Sequence, residues 1–318
     1  MAGAGLLCLW STILLVRVLG SAAGGGFPQW NCGCRNCRAA REANGARPRT
    51  QESVAVSADG EAWFLLNASP EIRHQIESFV PLHPRAPRHS PIRGIVLTNG
   101  DLDHTLGVLS LRESHPITLY ATEGVRRGFT DGNVLYRTLE RFEGQVTWRM
   151  LRTGQPRELE LPDGASSGLQ VEAVAVPGKP PVHLEGLRPA TADENVALRI
   201  REGKTGRILA YASAVGAITD GVLRALDAAD CVFFDGTFWS EDELIAEGLG
   251  TKRAQEMAHV PVDGPNGSLQ GLGRLRVGRR IYIHINNSNP LLREDGPERA
   301  HARAAGWEVA WDGMQVEL

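Results

Sequence analysis

TNGDLDHTLG, residues 98 to 107, is the stretch that decides the fold. An apolar run, residues 94 to 98, leads into it, and a helix-like segment follows it. Ligand-type side chains come directly after the apolar run: Asn99, Asp101, Asp103 and His104. Carboxylates and imidazoles are common protein ligands of zinc and iron. The stretch therefore predicts a buried strand that ends in a metal site at the edge of a sheet.

The composition is that of an ordinary globular chain. Its 318 residues are 42% hydrophobic and 22% charged, which allows one large α/β domain or two small ones. The net charge of −3 argues against a nucleic-acid partner, because nucleic-acid binders present a basic face.

The N-terminus offers two interpretations. Residues 6 to 16 are mostly apolar, as in the core of a signal peptide, but no basic residue precedes them and Arg17 interrupts the run. The run is also too short for a membrane span. We expect residues 1–11 to be an extra, poorly ordered leader and residues 12–318 to be the domain, with a first strand over 12 to 19. This interpretation predicts a cytoplasmic protein; a signal or anchor is the alternative.

Strand-like and helix-like segments alternate along the chain without an internal repeat. This pattern predicts a single α/β domain in which two sheets pack together and helices cover the outside. The expected strands are residues 54–57, 62–66, 94–98, 117–121, 146–151, 169–176, 196–201, 207–212, 231–235, 280–285 and 307–311. The expected helices are residues 72–79, 133–142, 219–228, 240–246 and 297–305.

Three cysteines crowd into six positions: Cys32, Cys34 and Cys37. Thiolates at this spacing suit a tetrahedral structural zinc site, with a fourth ligand from elsewhere. Free thiols or a redox pair are the alternatives. Candidates for the fourth ligand are His83, His89, His301 and Cys8. Cys231 lies in an apolar run and is expected in the core.

The motif from Asn99 to His104 resembles the His-x-His-x-Asp-His motif of the metallo-β-lactamase superfamily. Later segments fit that family in order and spacing: residues 211–214, 233–238, 257–262 and 281–287. The glycine-rich stretch 20–32, together with residues 284–290, is similar to the family of pyrroloquinoline quinone biosynthesis protein B. The resemblance implies a four-layer αββα sandwich and a part in assembling that quinone cofactor.

The resemblance also shows which ligands are missing. Asn99 and Asp101 replace the first two histidines of the motif, and Ser213 and Ala214 lie where the family often carries a bridging aspartate. The first metal site is therefore incomplete. The second site keeps its ligands: Asp103, His104 and His284. Two histidines and one carboxylate are typical of non-haem Fe(II) oxygenases, although zinc also accepts this set. Helix capping by Asp101 and Asp103 is the structural alternative.

Other polar residues are assigned roles from their place in the pattern. We expect Asp101, Asp235 and His259 to be catalytic, orienting the substrate or moving protons. Lys179, Asn286 and Asn287 are the expected substrate-binding residues. Each has a structural alternative: Asp235 as a cap, His259 as a buried structural histidine, Lys179 as an exposed lysine, and the asparagines as turn formers.

The predicted function is iron-dependent hydroxylation of the tyrosine ring in a glutamate–tyrosine precursor of pyrroloquinoline quinone. A non-catalytic carrier that moves the quinone or its precursor towards the periplasm is one alternative. A metal-dependent hydrolase is the other, weakened because two-metal hydrolysis needs both sites. Other proteins of the same pathway are possible partners, no membrane span is expected, and the sequence leaves open whether the chain forms a homodimer.

Overall fold

The computed structural model describes residues 13–318, over which fourteen strands form two seven-stranded sheets. The first sheet has the order β14-β1-β2-β3-β4-β5-β6. Its strands are β1 (Leu15–Gly20), β2 (Ser53–Ser57), β3 (Trp63–Leu66), β4 (Ile92–Val96), β5 (Ile117–Ala121), β6 (Val146–Met150) and β14 (Gln315–Glu317). The predicted leader, residues 1–11, lies outside the described residues.

The second sheet has the order β13-β12-β11-β10-β9-β8-β7. Its strands are β7 (Arg157–Glu160), β8 (Ser166–Ala175), β9 (Val196–Glu202), β10 (Ile208–Ala212), β11 (Cys231–Asp235), β12 (Arg279–Ile283) and β13 (Glu308–Val309). In both sheets a group of parallel strands adjoins antiparallel ones: β3 to β6 run parallel, as do β10 to β13.

Eight α-helices of four to nine residues occur in the described part of the chain. They are α1 (Arg35–Arg41), α2 (Ile72–Glu77), α3 (Leu102–Ser110), α4 (Glu123–Thr130), α5 (Asp220–Leu226), α6 (Glu243–Ala246), α7 (Ser268–Gly271) and α8 (Pro297–Ala304). No helix of residues 13–318 combines the length and apolarity needed to cross a bilayer.

Alternation along the strands explains the layers. Phe233 lies in the core between the sheets, whereas its neighbour Phe234 packs with residues of α5 and α8 on the outer face. Tyr282, on β12, also points outwards and stacks on Trp307 with ring centroids 4.1 Å apart. Successive side chains of a strand point to opposite faces, so each central strand feeds both cores. The predicted αββα sandwich and single domain are confirmed.

The sheet edges place the site. The parallel strands β4, β11 and β12 end at Val96, Asp235 and Ile283, and the segments that follow them carry the ligand-type residues. Ligands of α/β sheets bind beyond the carboxyl ends of parallel strands, because loops converge there. Here two such edges, one from each sheet, face each other.

Several sequence-based boundaries differ from the structure. The expected helix over 133–142 is a 3₁₀ helix, Val134–Leu139, and the one over 240–246 shortens to α6. Strand 307–311 shortens to the two residues of β13, an edge strand with a single neighbour. The helices α1, α4 and α7 and the strands β7 and β14 had no sequence prediction, because each is short, at eight residues or fewer.

Candidate metal centre

The motif after β4 folds into a short loop and the first turn of α3. Asp101 is the residue before α3, but its side chain makes no capping hydrogen bond. Asp103 lies in the first turn, and the His104 amide donates to the Asp101 carbonyl at 3.1 Å. The capping alternative therefore does not describe Asp101, whose carboxylate is left for the site.

Three of the predicted ligands meet at one point. One ligand atom each from Asp103, His104 and His284 lies within 4.8 Å of the others. His284 Nε2 is 3.1 Å from Asp103 Oδ2, and His104 Nε2 is 3.9 Å from the same oxygen. His284 follows β12 with a φ of 60°, a backbone conformation that non-glycine residues rarely adopt and that clusters at functional sites.

Hydrogen bonds orient both imidazoles. Asn99 Oδ1 lies 2.8 Å from His104 Nδ1, and Thr237 Oγ1 lies 2.8 Å from His284 Nδ1. These acceptors place a proton on each Nδ1, so Nε2 is the nitrogen of each ring that faces Asp103 and would bind a metal. Metal-ligating histidines are usually fixed in this way. Asn99, which stands where the family has a ligand, thus orients a ligand instead.

The glycine-rich turn after β1 closes the site from the side. A Cβ atom on Gly24 would stand 3.3 Å from Asp103 Oδ2, so this glycine lies directly against the carboxylate. A larger side chain here would press on the ligand. The turn that the sequence singled out therefore belongs to the wall of the site.

Glu52, immediately before β2, was not among the predicted site residues. Its Oε2 lies 3.3 Å from His104 Nε2, and both side chains are essentially inaccessible to solvent. Neither Glu52 Oε1 nor His104 Nε2 has a hydrogen-bond partner among the described residues. Buried acceptors without partners are costly, and a bound cation would satisfy both. The arrangement therefore fits a metal ion.

The charges of the site are held far from their usual states. Burial raises the pKa of Glu52 to about 8 and lowers that of His104 to about 4. Burial and the neighbouring Asp103 raise the pKa of Asp101 to about 7. Burial opposes the charge of His284, but its hydrogen bond to Asp103 outweighs this and raises the pKa to about 9. Such crowding of acids around imidazoles is typical of a site built for a cation.

A second pair of predicted residues adjoins the ligands. His259 Nδ1 is 2.7 Å from Asp235 Oδ2, and the His259 ring stacks on His284 with centroids 5.5 Å apart. Asp235 is fully buried and also accepts hydrogen bonds from the Val215 and Thr237 amides at 2.8 and 3.0 Å. Ligand atoms of Asp235, His259 and His284 also lie within 4.8 Å of one another. The pair therefore adjoins the metal ligands, where His259 can exchange protons.

The three predicted substrate-binding residues differ in their surroundings. Lys179 acts on the pKa of Asp101 and binds Glu185 Oε1 at 2.5 Å, so it lies near the site but already has a partner. Asn286 donates to Ser288 Oγ at 2.5 Å, and its amide donates to the Thr237 carbonyl. Asn287 is turned away from the metal centre and faces the cysteines.

The cysteines form a second cluster. The Sγ atoms of Cys32, Cys34 and Cys37 lie within 4.8 Å of one another. Asn287 Nδ2 lies 3.2 Å from Cys32 Sγ, 3.4 Å from Cys37 Sγ and 3.8 Å from Cys34 Sγ. Burial raises the pKa of Cys37 to about 11. The fourth side of the cluster is therefore occupied by the Asn287 amide, and within residues 13–318 no histidine joins the three thiols at this distance.

The candidates for the fourth position lie elsewhere. His83 contacts the Glu77 carbonyl at 3.1 Å, His89 accepts from the Arg85 amide at 3.2 Å, and His301 packs on Trp239. Cys8 lies outside the described residues. Cys231 is buried in β11, as expected.

Comparisons with known proteins agree with the fold and the motifs. Residues 62–285 match the Beta-lactamase superfamily domain. The chain is 46% identical over 309 residues to coenzyme PQQ synthesis protein B of Rhizobium meliloti (strain 1021), covering 96% of this chain and 98% of that protein. The corresponding protein of Methylobacterium radiotolerans is also 46% identical, over 308 residues, with 95% and 99% covered.

Solved structures give the same result. The crystal structure of Zn²⁺-bound PqqB from Methylobacterium extorquens superposes with a TM-score of 0.87 at 42% identity, covering 96% of this chain and 100% of that one. A diphosphatase from the PhnP family superposes with a TM-score of 0.66 at 21% identity, covering 96% and 97%. The second likeness shows a shared fold alone.

Proposed function

The chain belongs to the family of coenzyme PQQ synthesis protein B, within the β-lactamase superfamily, and we propose that it hydroxylates the tyrosine ring of a PQQ precursor. Membership supports a part in PQQ biosynthesis, and the side-chain clusters support a metal cofactor. The finer proposal is an iron-dependent hydroxylase acting on a glutamate–tyrosine unit.

One observation carries this proposal: Asp103, His104 and His284 keep two imidazoles and a carboxylate at one site, while the superfamily's other ligands are replaced. Asp235 and His259 form a second group with the same His284, but there the two side chains pair with each other at 2.7 Å. The Nε2 atoms of His104 and His284 converge with the Asp103 carboxylate. The Asn99 side-chain oxygen, in contrast, accepts a hydrogen bond from His104. Ser213, at the place of the bridging aspartate, has no hydrogen-bond partner for its hydroxyl within residues 13–318. Two histidines and one carboxylate with open positions are typical of oxygen-activating iron sites.

The residues of the chain have distinct tasks in this reaction. Asp103, His104 and His284 would hold Fe(II), which supplies the activation of O₂ when bound. His259, with its Nδ1 fixed by Asp235 at 2.7 Å, would take up the proton that the ring carbon releases. One oxygen atom enters the ring and the other leaves as water, with two electrons from an external reductant such as ascorbate.

Substrate orientation falls to the polar residues beside the ligands. Lys179 lies close enough to affect Asp101, and a substrate carboxylate would compete with Glu185 for its ammonium group. The Asp101 carboxylate would bind the amino group of the precursor. Asn286 would contribute its amide at the same rim. The position of Asn287 at the cysteines gives no support to a substrate role for that residue.

The cysteine cluster is proposed to hold a structural zinc ion. Three thiols whose Sγ atoms lie within 4.8 Å of one another, with an amide on the fourth side, support this role. An amide ligand would bind through its oxygen, which requires the opposite orientation of the Asn287 carboxamide. Cys32, Cys34, Cys37 and Cys231 are free thiols, which supports the proposed cytoplasmic location.

The test is anaerobic loading with Fe(II), followed by ¹⁸O₂, ascorbate and a Glu–Tyr dipeptide. We expect one ¹⁸O atom in the tyrosine ring by mass spectrometry, and none with the His284→Ala variant or after loading with Zn²⁺. Product without ¹⁸O, or turnover with Zn²⁺ alone, would reject the hydroxylase. Tight quinone binding that does not depend on Asp103 or His284 would favour the carrier alternative instead.

A further inference from the structure

Glu52 stands out among the buried acidic residues because one oxygen of its carboxyl group has no hydrogen-bond partner within the described residues. The other inaccessible glutamates outside the site are satisfied: Glu194 pairs with Arg188 at 2.5 Å, and Glu202 accepts from the Lys204 and Thr205 amides at 3.0 and 2.6 Å. Glu52 is 0% exposed, and its Oε1 has no partner within the described residues. One oxygen of this buried carboxyl group therefore remains available to bind a cation.

Glu52 is held in position rather than placed there by chance. Asn67 Nδ2 donates to Glu52 Oε2 at 3.0 Å, and Asn67 Oδ1 accepts from the Thr98 amide and hydroxyl, both at 3.0 Å. Asn67 is buried with a φ of 61°, a left-handed conformation that asparagine adopts more readily than most other non-glycine residues. The residue after β3 therefore fixes the position of this carboxylate and is itself fixed by Thr98.

The Glu52 carboxyl group points at one of the predicted metal ligands. Glu52 Oε2 lies 3.3 Å from the Nε2 of His104, the nitrogen whose lone pair is left free because Nδ1 faces Asn99. Two acceptors that face each other repel unless something positive lies between or beside them. A divalent ion bound by Asp103 and two neutral imidazoles would also keep one uncompensated positive charge in a buried place.

We propose that Glu52 is a fourth protein ligand of the metal centre, supplying the second negative charge that balances a divalent ion. The inference rests on the metal centre of the proposed function, but not on the reaction assigned to it. The centre is then a two-histidine, two-carboxylate site, in which Asn67 and Thr98 position the added carboxylate.

Binding of Co(II) tests the proposal without any turnover. In Glu52→Gln we expect the Co(II) dissociation constant to rise more than about 100-fold, beyond the loss typical of outer-shell partners, with a changed visible spectrum. Glu202→Gln is the matched control, since it removes an equally buried carboxylate far from the centre. Its affinity and spectrum should equal those of the wild type. Thiolate-bound Co(II) absorbs separately, so the cysteine cluster is followed in the same titration.

Glu52→Asp keeps the test decisive if the glutamine variant does not fold. Aspartate retains the charge but withdraws it by one methylene, so a weaker site with an altered spectrum is expected. Wild-type affinity and spectrum in either variant would overturn the proposal, as would a loss below 100-fold with an unchanged spectrum. Hydroxylation can fail while Glu52 still binds metal, and the reverse also holds, so the two proposals are separable.

Discussion

At the scale of single residues, Asn99 changes what the motif means. The superfamily has a metal ligand at this position. In this chain Asn99 instead forms a hydrogen bond with His104, at 2.8 Å. The imidazole that remains is thereby fixed in the form that can bind a metal. Asn99 thus accounts both for one missing ligand of the first site and for the orientation of His104 in the second.

The Asn99→Ala variant measures this role. We expect metal affinity at the working site to fall about 10- to 100-fold, the usual effect of losing an outer-shell partner, because His104 loses the acceptor that fixes its tautomer. Competition with a chromophoric chelator gives the constant. Asn99→Asp restores an acceptor and should recover most of the affinity. Equal affinity in the alanine variant would show that Asn99 does not orient His104.

Residue types also set the limit of what the sequence could predict. The sequence predicts three of the ligands, because each lies in a local motif at the end of a strand: Asp103, His104 and His284. Glu52 and Asn67 have no such signature: they precede and follow ordinary apolar strands, and only the pairing of β2 with β3 brings them together. Asn287 was expected to bind the substrate. The sequence could not show that it faces the cysteines, because its orientation depends on the conformation of a turn.

At the scale of elements, the packing of α3 places two of the ligands. Gly107, on α3, lies against the chain after β3, so closely that a Cβ atom would stand 2.2 Å from the Ser69 carbonyl oxygen. Its amide donates to the Ala68 carbonyl at 2.9 Å. The helix therefore approaches the sheet at van der Waals limits, and Asp103 and His104 are carried with it.

Gly107→Ala should displace α3 and weaken both stability and metal binding. Overpacking of this kind costs about 1–3 kcal/mol, measurable as a lower midpoint in urea. Gly221→Ala is the matched control: it also lies in a helix, α5, but its nearest neighbour would be a side chain at 3.5 Å. That variant should gain up to about 1 kcal/mol from helix propensity. Equal effects of the two substitutions would contradict the close approach.

At the scale of the whole molecule, the shifted pKa values of the site make the stability of the metal-free protein depend on pH. The folded pKa of His284 is raised from 6.5 to about 9, so its stabilising contribution is complete below pH 6.5 and is lost as pH rises towards 9. The folded pKa of Glu52 is raised from 4.5 to about 8, so ionisation of the unfolded chain draws stability away between these values. Both groups act in the same direction above pH 6.5.

The metal-free protein should therefore be less stable at pH 8 than at pH 6.5. Urea unfolding of chelator-treated protein at constant ionic strength gives the free energy of unfolding at each pH. Glu52→Gln should flatten this dependence. Addition of the metal should reverse its sign, because ligands must lose their protons to bind. Stability that rises with pH in the metal-free protein would show that these groups titrate normally.

The turn from His284 to Asn289 joins the two clusters. His284 serves the working centre, Asn287 faces the thiols, and Asn36 Nδ2 of α1 clamps the turn through the carbonyls of Asn287, Ser288 and Asn289 at 3.1, 2.9 and 3.0 Å. The two clusters therefore share one rigid turn. A displacement of the cysteine segment would be passed through Asn36 to the backbone that carries His284.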